Sequence, residues 1–262
     1  MRSFIVLAVL LGCGGSDKGD TDDRRTAADT DTDTDTDADA DADSDSDTEP
    51  VSHVRIMHVS PGLGEMDMVV NDALPPTLDA LAFGGGTAWT TRPVDHFNFK
   101  FLPTGLGVED AIVTFDLDLL QDTFHTFAIF DQPPTVQVMR LVDDPDGIFP
   151  GQIRLRWTHA ALGLGPLDVR QVNGDILHAD DLDFGATTVD DFDSGVMTIG
   201  IDNTGDGVPE WVFTDFNLDP NSMVDLWIVN DCPGCTPFLI AHQPNGNTPR
   251  RDVIGPDTDT GP

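Results

Sequence analysis

Three groups of residues have the types and spacing to do chemistry. Asp202, Asp206 and Glu210 lie in the run Asp202-Asn203-Thr204-Gly205-Asp206-Gly207-Val208-Pro209-Glu210. Oxygen-bearing side chains at alternating positions with a glycine sixth are the opening of a calcium loop. Against that reading, the third place is Thr204 and the twelfth is Phe213 where a bidentate Glu would close the shell. An Asp/Asn/Gly turn that needs no metal is the other reading. Cys232-Pro233-Gly234-Cys235 has the C-x-x-C spacing of a redox or zinc site. No helix pattern follows it, as a thioredoxin-type site would need, and no second ligand pair is apparent. A disulfide across the turn in an oxidising compartment is the expectation. His58 and His159 each precede an aspartate, Asp67 and Asp168, by nine residues. That pairing would suit a general base, but no Ser or Cys nucleophile motif accompanies it. Structural histidines at strand ends are expected instead. The many aspartates would also supply a glycosidase-like carboxylate pair, a signal that their number makes uninformative.

The third cysteine, Cys13, reads as an address. Met1-Arg2-Ser3 is short and positive, and residues 4–11 are unbroken apolar. That run is too short for a spanning helix of about 20 residues, and Leu10-Leu11-Gly12-Cys13 follows it. A charged start, apolar run and small residue before a cut make a signal peptide over residues 1–12. The ending resembles the bacterial lipobox, which implies lipid on Cys13 and a membrane held through its acyl chains. Gly14 after the cysteine favours the outer membrane or cell surface by the same resemblance.

The net charge of -34 excludes nucleic acid as a partner, because phosphates require Lys and Arg. Part of that charge lies in residues 13–50, where from Asp29 to Thr48 Asp alternates with Thr, Ala or Ser. Such a stretch buries no apolar surface and is expected to be a disordered tether reaching up to ~100 Å. A solvated spacer, a diffuse cation binder and a glycosylated stalk are its three readings. Residues 245–262 are expected to be a disordered tail.

What remains must hold the candidate residues in place, and it is duplicated. Arg55-Ile56-Met57-His58 returns 101 residues later as Arg156-Trp157-Thr158-His159, and Gly62-Leu63-Gly64 as Gly163-Leu164-Gly165. Phe83-Gly84 returns as Phe184-Gly185, and Thr104-Gly105, at an offset of 100, as Thr204-Gly205. Identity at a held offset over most of a hundred residues signals repeated modules. In the first copy β-prone segments lie near 54–59, 66–71, 87–91, 97–102, 111–117, 124–130 and 135–141. Phe97, Phe99 and Phe101 alternate with Asn98 and Lys100, the period of a half-buried strand. The fold class expected is all-β: two tandem β-sandwiches of Ig-like or Greek-key type, over 51–144 and 152–244, joined by a linker at 145–151. Asp143-Asp144-Pro145-Asp146-Gly147 supplies the turn chemistry of that connection.

The opening Val54-Arg55-Ile56-Met57-His58-Val59-Ser60-Pro61, then Met66-Asp67-Met68-Val69-Val70-Asn71 and Leu81-Ala82-Phe83-Gly84, resembles the bacterial family domain of unknown function 4397. The second copy keeps Arg156, His159, Asp168 and Phe184-Gly185 but has Ala161-Leu162 where Ser-Pro stood. The resemblance implies exported, often tandem β-sandwiches and no activity. The expected function is therefore non-catalytic binding or adhesion at the cell envelope, to a protein or polysaccharide. Calcium is the one candidate cofactor. Trp89, Trp157, Trp211 and Trp227 would stack on sugars if exposed, although strand tryptophans usually belong to cores. A carbohydrate-active hydrolase and a purely structural spacer are the alternatives.

Overall fold

The computed structural model describes residues 49–172 and 176–254. The stretch expected to be a signal peptide, Cys13, and all of the expected tether but residues 49 and 50 lie outside the described residues. The described part is all-β apart from one 3₁₀ turn.

The first module contains β1 (Val51–His58), β2 (Met66–Val70), β3 (Leu78–Leu81), β4 (Thr90–Pro93), β5 (His96–Pro103), β6 (Val113–Asp118), β7 (Phe124–Phe130) and β8 (Gln137–Asp143). The second contains β9 (Gln152–His159), β10 (Leu167–Gln171), β11 (Ile176–Leu182), β12 (Thr187–Asp193), β13 (Val196–Asp202), β14 (Trp211–Asn217), β15 (Met223–Val229), β16 (Phe238–His242) and β17 (Arg250–Arg251). In the first module one sheet runs β4-β1-β7-β8 and the other β3-β2-β5-β6. The second repeats this as β12-β9-β15-β16 and β11-β10-β13-β14, with β17 added beside β16. All pairings are antiparallel except β1 with β7 and β9 with β15. Hairpins stay within a sheet, while the other connections cross between sheets, as in a β-sandwich of Greek-key type.

Each module has eight strands in this plan where seven were expected. The missed one, β3, is four residues long and largely exposed. Ala80 within it has φ 53, so alternation is broken and the pattern is silent there.

Strand alternation fills each sandwich. Val54, Ile56, Phe127 and Ile129 point inward with Met66, Met68, Phe99 and Phe101. Ile153, Leu155, Trp157, Leu226 and Ile228 meet Val169, Ile199, Ile201 and Phe213 in the second. The opposite faces of β1, β7, β9 and β15 are buried too. Met57, Val59, Ala128 and Phe130 of the first module form one apolar layer with Ala160, Trp227, Val229, Phe238 and Ile240 of the second. The two sandwiches therefore pack back to back, and four sheets stack in succession.

The tail expected from residue 245 does not begin there. Leu239 and Ile240 of β16 pair with Arg251 and Arg250 of β17, and the Ile254 amide donates to the Val212 carbonyl at 3.0 Å. Two free edges and a place for Val253 on the core hold this stretch, despite its charged composition. Asp143, read with the connector, is instead the buried last residue of β8.

Candidate functional site

The most concentrated chemistry lies between the modules, where sequence reasoning placed none. Arg55 on β1 and Arg156 on β9 occupy the duplicated position, and both point out of their own sandwich into the shared layer. Arg55 Nη2 donates to Asp225 Oδ2 at 2.8 Å, and its Nε donates to Thr126 Oγ1 at 2.8 Å. Thr126 Oγ1 donates in turn to Asp143 Oδ2 at 2.6 Å. Arg156 Nη2 contacts Asp143 and lies 2.8 Å from Asp225 Oδ1. Each arginine thus pairs with an aspartate of the other module, and two positive charges balance two negative ones. All four side chains are at most 2% exposed. The Arg55 guanidinium also lies 4.3 Å from the Trp89 ring centre, a cation–π contact.

Burial shapes the titration of this cluster. Asp143 is pushed up to about 6 by burial and by the Asp225 charge, against the pull of both arginines. Burial also opposes the charge of Asp225, but Arg156 and Arg55 hold its carboxyl below the ordinary value. Asp225 is the carboxylate that meets both arginines directly, at 2.8 Å each. His242, buried beside the group, is pushed down to about 4 by burial and by Arg55. Its Nε2 is 2.8 Å from the Thr87 carbonyl of the first module, so a neutral ring can donate there. Gly246 comes so close to Thr87 and Ala88 that a Cβ would collide with their backbone.

The family-like motif residues serve the same junction. His58 stands edge-on to Phe83, and Phe83 edge-on to Phe238 across the interface at 6.2 Å. His159, Phe184 and Phe130 repeat that relay in the opposite sense. His58 Nε2 is 3.1 Å from the Gly64 carbonyl, and Nδ1 accepts the Ser60 amide at 3.3 Å. His159 matches it with Gly165 at 3.1 Å and Ala161 at 3.2 Å. Burial lowers both histidines' pKa against those carbonyl bonds. Neither uses the aspartate nine residues on. Asp67 instead accepts the Ala80 amide and the Thr104 hydroxyl, both at 2.8 Å, and Asp168 accepts the Asp181 amide at 2.8 Å.

The β13–β14 loop brings Asp202, Asp206 and Glu210 together, with one carboxylate oxygen from each within 4.8 Å of the others. It is the one such acidic group that could hold a metal ion among the described residues. Asp202 is already occupied by loop donors: Oδ1 accepts the Thr204 and Gly205 amides at 2.8 and 2.7 Å, and Oδ2 the Gly207 amide at 2.7 Å. Although burial opposes its charge, those three amides hold its carboxyl below the ordinary value. Glu210 accepts the Asn203 amide at 2.6 Å and the Thr204 hydroxyl at 2.8 Å. Cys232 and Cys235 are joined by a disulfide across the β15–β16 turn. Trp157 and Trp227 are fully buried, while Trp211 is half-buried against the core and Trp89 against Phe124 and Arg55. The described residues therefore present no open pair of tryptophans.

Arg55 and Arg156 were legible as a repeat but not as a pair. Their partners lie up to 170 residues away, and nothing local distinguishes Asp143 or Asp225 among so many aspartates.

The fold and this junction define two sandwiches built on one eight-stranded plan, the second with β17 added, that share an ionic and apolar seam. Residues 52–170 match the model of the family described as Domain of unknown function (DUF4397), so the resemblance in the opening motif holds across the first module and into β10. No curated protein matches the chain. Three solved structures align at 11% identity. The Bacillus anthracis TIE protein aligns over 69% of this chain and 34% of its own, with TM-score 0.22, so this chain spans about a third of that length. A streptococcal virulence factor, from a structure of alpha-glucan binding, gives 70%, 95% and 0.23. CBMbc (family CBM26) from Eubacterium rectale Amy13K, in complex with maltoheptaose, gives 78%, 98% and 0.26. Superposition at this level decides neither architecture nor ligand.

Proposed function

We propose that the protein is an exported, non-catalytic binding protein of the cell envelope. It is lipid-anchored at Cys13 and holds a rigid double sandwich on an acidic tether in the outer membrane or at the cell surface. The observation that carries this reading is the fate of the motif residues. His58 and His159, the best candidates for proton transfer, are buried and bonded to backbone at both ring nitrogens. The duplicated arginines and phenylalanines are spent on joining the modules. Loops and sheet edges remain for recognition, and the buried tryptophans favour a protein over a polysaccharide partner.

The test is fractionation of cells making the wild type or Cys13→Ser, followed by binding of isolated envelope proteins and polysaccharides to the purified chain. The expected result is a wild type that fractionates with the membrane and a Cys13→Ser variant that does not, with saturable binding and no release of reducing ends from envelope glycans. Turnover of a glycan would replace this reading with a hydrolase, and binding to neither class would leave a spacer.

Calcium is a second element of the proposal, supported by the convergence of Asp202, Asp206 and Glu210. A ligand that binds only the native state stabilises it by RT ln(1 + [L]/Kd). A rise in Tm with millimolar calcium that is lost in Asp202→Ala/Asp206→Ala would place the ion in the β13–β14 loop. An unchanged Tm would leave the loop a turn closed by its own amides.

A further inference from the structure

The two modules differ at one flank. In the second, residues 249–254 cross from one sheet to the other. They pair with β16 through Leu239–Arg251 and Ile240–Arg250, and the Ala241 amide donates to the Pro249 carbonyl at 3.1 Å. Val253 then covers the core, and the Ile254 amide reaches Val212 of β14. Arg250 lies 3.5 Å over the Phe238 ring and 3.7 Å from Asp231. In the first module the corresponding edges are β8 and β6. Thr126 faces Leu141 as Asp225 faces His242, and Phe99 faces Phe115 as Ile199 faces Phe213. Val138, Met139 and Arg140 therefore stand where Leu239, Ile240 and Ala241 do, and Thr114 where Val212 does. Among the described residues neither edge has a further strand beside it, because the chain leaves β8 directly for β9. Phe115, Leu117, Val136 and Val138 are left half-buried beneath, and the Arg140 guanidinium lies 5.8 Å from the centre of the Phe115 ring.

We propose that this bare β8/β6 edge is a docking site for an extended segment of a partner protein. The segment is basic at its start and β-branched at its end, and it adds to β8 as the chain's own residues 249–254 add to β16. Unpaired edge strands are templates for strand addition, in which main-chain bonds supply affinity and alternate side chains supply selectivity. Charge selects the occupant. Asp131 lies in the β7–β8 turn as Asp231 lies in the β15–β16 turn, its carboxylate accepting the Gln132 amide at 2.8 Å and Gln137 Nε2 at 3.4 Å, and Asp116 and Asp118 are exposed along β6. The chain's own remaining segments, 13–48 and 255–262, are rich in Asp and would meet this edge with like charge. A second copy brings a further -34. The inference deepens the binding function proposed above and rests on it.

The experiment uses the full chain and a synthetic peptide of residues 247–254, Asn-Thr-Pro-Arg-Arg-Asp-Val-Ile, read by fluorescence anisotropy and amide hydrogen exchange. The expected result is saturable, salt-weakened binding with new protection confined to β8. Asp131→Asn should weaken it about two- to fivefold, the size of one exposed ion pair. Arg140→Ala, which installs the residue of the capped module, should tighten it. The proposal is overturned by absence of binding in both wild type and Arg140→Ala. It is equally overturned by protection at β16, which would mean exchange with the existing strap, or by β8 protection from self-association without peptide. Loss of peptide binding with intact envelope binding sinks the edge alone, whereas glycan turnover by a chain that still takes the peptide sinks only the parent reading.

Discussion

The same arginine, copied into both modules, lives in two different neighbourhoods. Arg55 has the neutral Thr126 beside it on β7, while Arg156 has the charged Asp225 beside it on β15. The missing negative charge of the first module comes from Asp143 at the end of β8. Duplication alone would have set two like-charged faces against each other. Divergence at a few strand positions turned repulsion into reciprocal pairing, and the flanks diverged as well, one strapped and one bare. Two copies of one sandwich have become a single unit with unequal exposed edges.

The sharpest way to break this comparison is to remove the shared counter-ion. Asp225→Asn leaves Arg55 and Arg156 facing each other with one carboxylate, and should cost about 3–5 kcal/mol in urea unfolding, the usual penalty for a broken buried pair. Adding Arg55→Met to Asp225→Leu should recover most of that loss, because an apolar replacement removes both desolvation costs. A loss under about 1 kcal/mol for the single variant would show the seam to be loosely held.

Acid should loosen the same seam. His242 is neutral in the folded protein down to about pH 4 but takes a proton near 6.5 when unfolded. Its stabilising contribution is present above pH 6.5 and is lost as pH falls from there toward 4, by roughly 3 kcal/mol at the limit. His178, pushed down to about 4 by burial, acts in the same window. Asp143 acts oppositely: its folded value near 6 lies above 3.8, so its contribution is full below 3.8 and lost as pH rises toward 6. In His242→Gln, which retains a donor for the Thr87 carbonyl, the stability–pH profile should flatten between 6.5 and 4.

Smaller effects sharpen the difference between the flanks. Truncation after residue 248 makes the second module resemble the first, removing Val253 and the strap's main-chain bonds. It should cost about 2–3 kcal/mol, with faster amide exchange at β16 and none at β8. Smallest of all, Cys232→Ser/Cys235→Ser should cost at most about 2 kcal/mol, given so short a loop. The matching turn of the first module, Gln132-Pro133-Pro134-Thr135, closes through a Thr135 amide bond to Gln132 at 2.9 Å without any disulfide.

Local periodicity made much of this protein readable. Phe97, Phe99 and Phe101 declared a half-buried strand because alternation is a property of neighbouring residues, and the offset of 101 exposed the repeat for the same reason. The turn chemistry of Cys232–Cys235 and the acidic run Asp202–Glu210 were equally local. The strand β3 was not readable, because Ala80 breaks the alternation that would announce it. Nor was the strap, whose Pro249, Arg250, Arg251 and Asp252 read as tail until an open edge accepts them.

By itself the sequence determined the β class, the duplication, and which side chains alternate into each sandwich. Only the tertiary structure decided that the outward faces of β1, β7, β9 and β15 are not surfaces. Burial of Arg55 depends on a carboxylate 170 residues away, and a charge in low dielectric is tolerable only when its counter-ion is delivered by the fold. Local pattern carries no record of which distant aspartate that will be, since every one of them looks alike until two sheets meet.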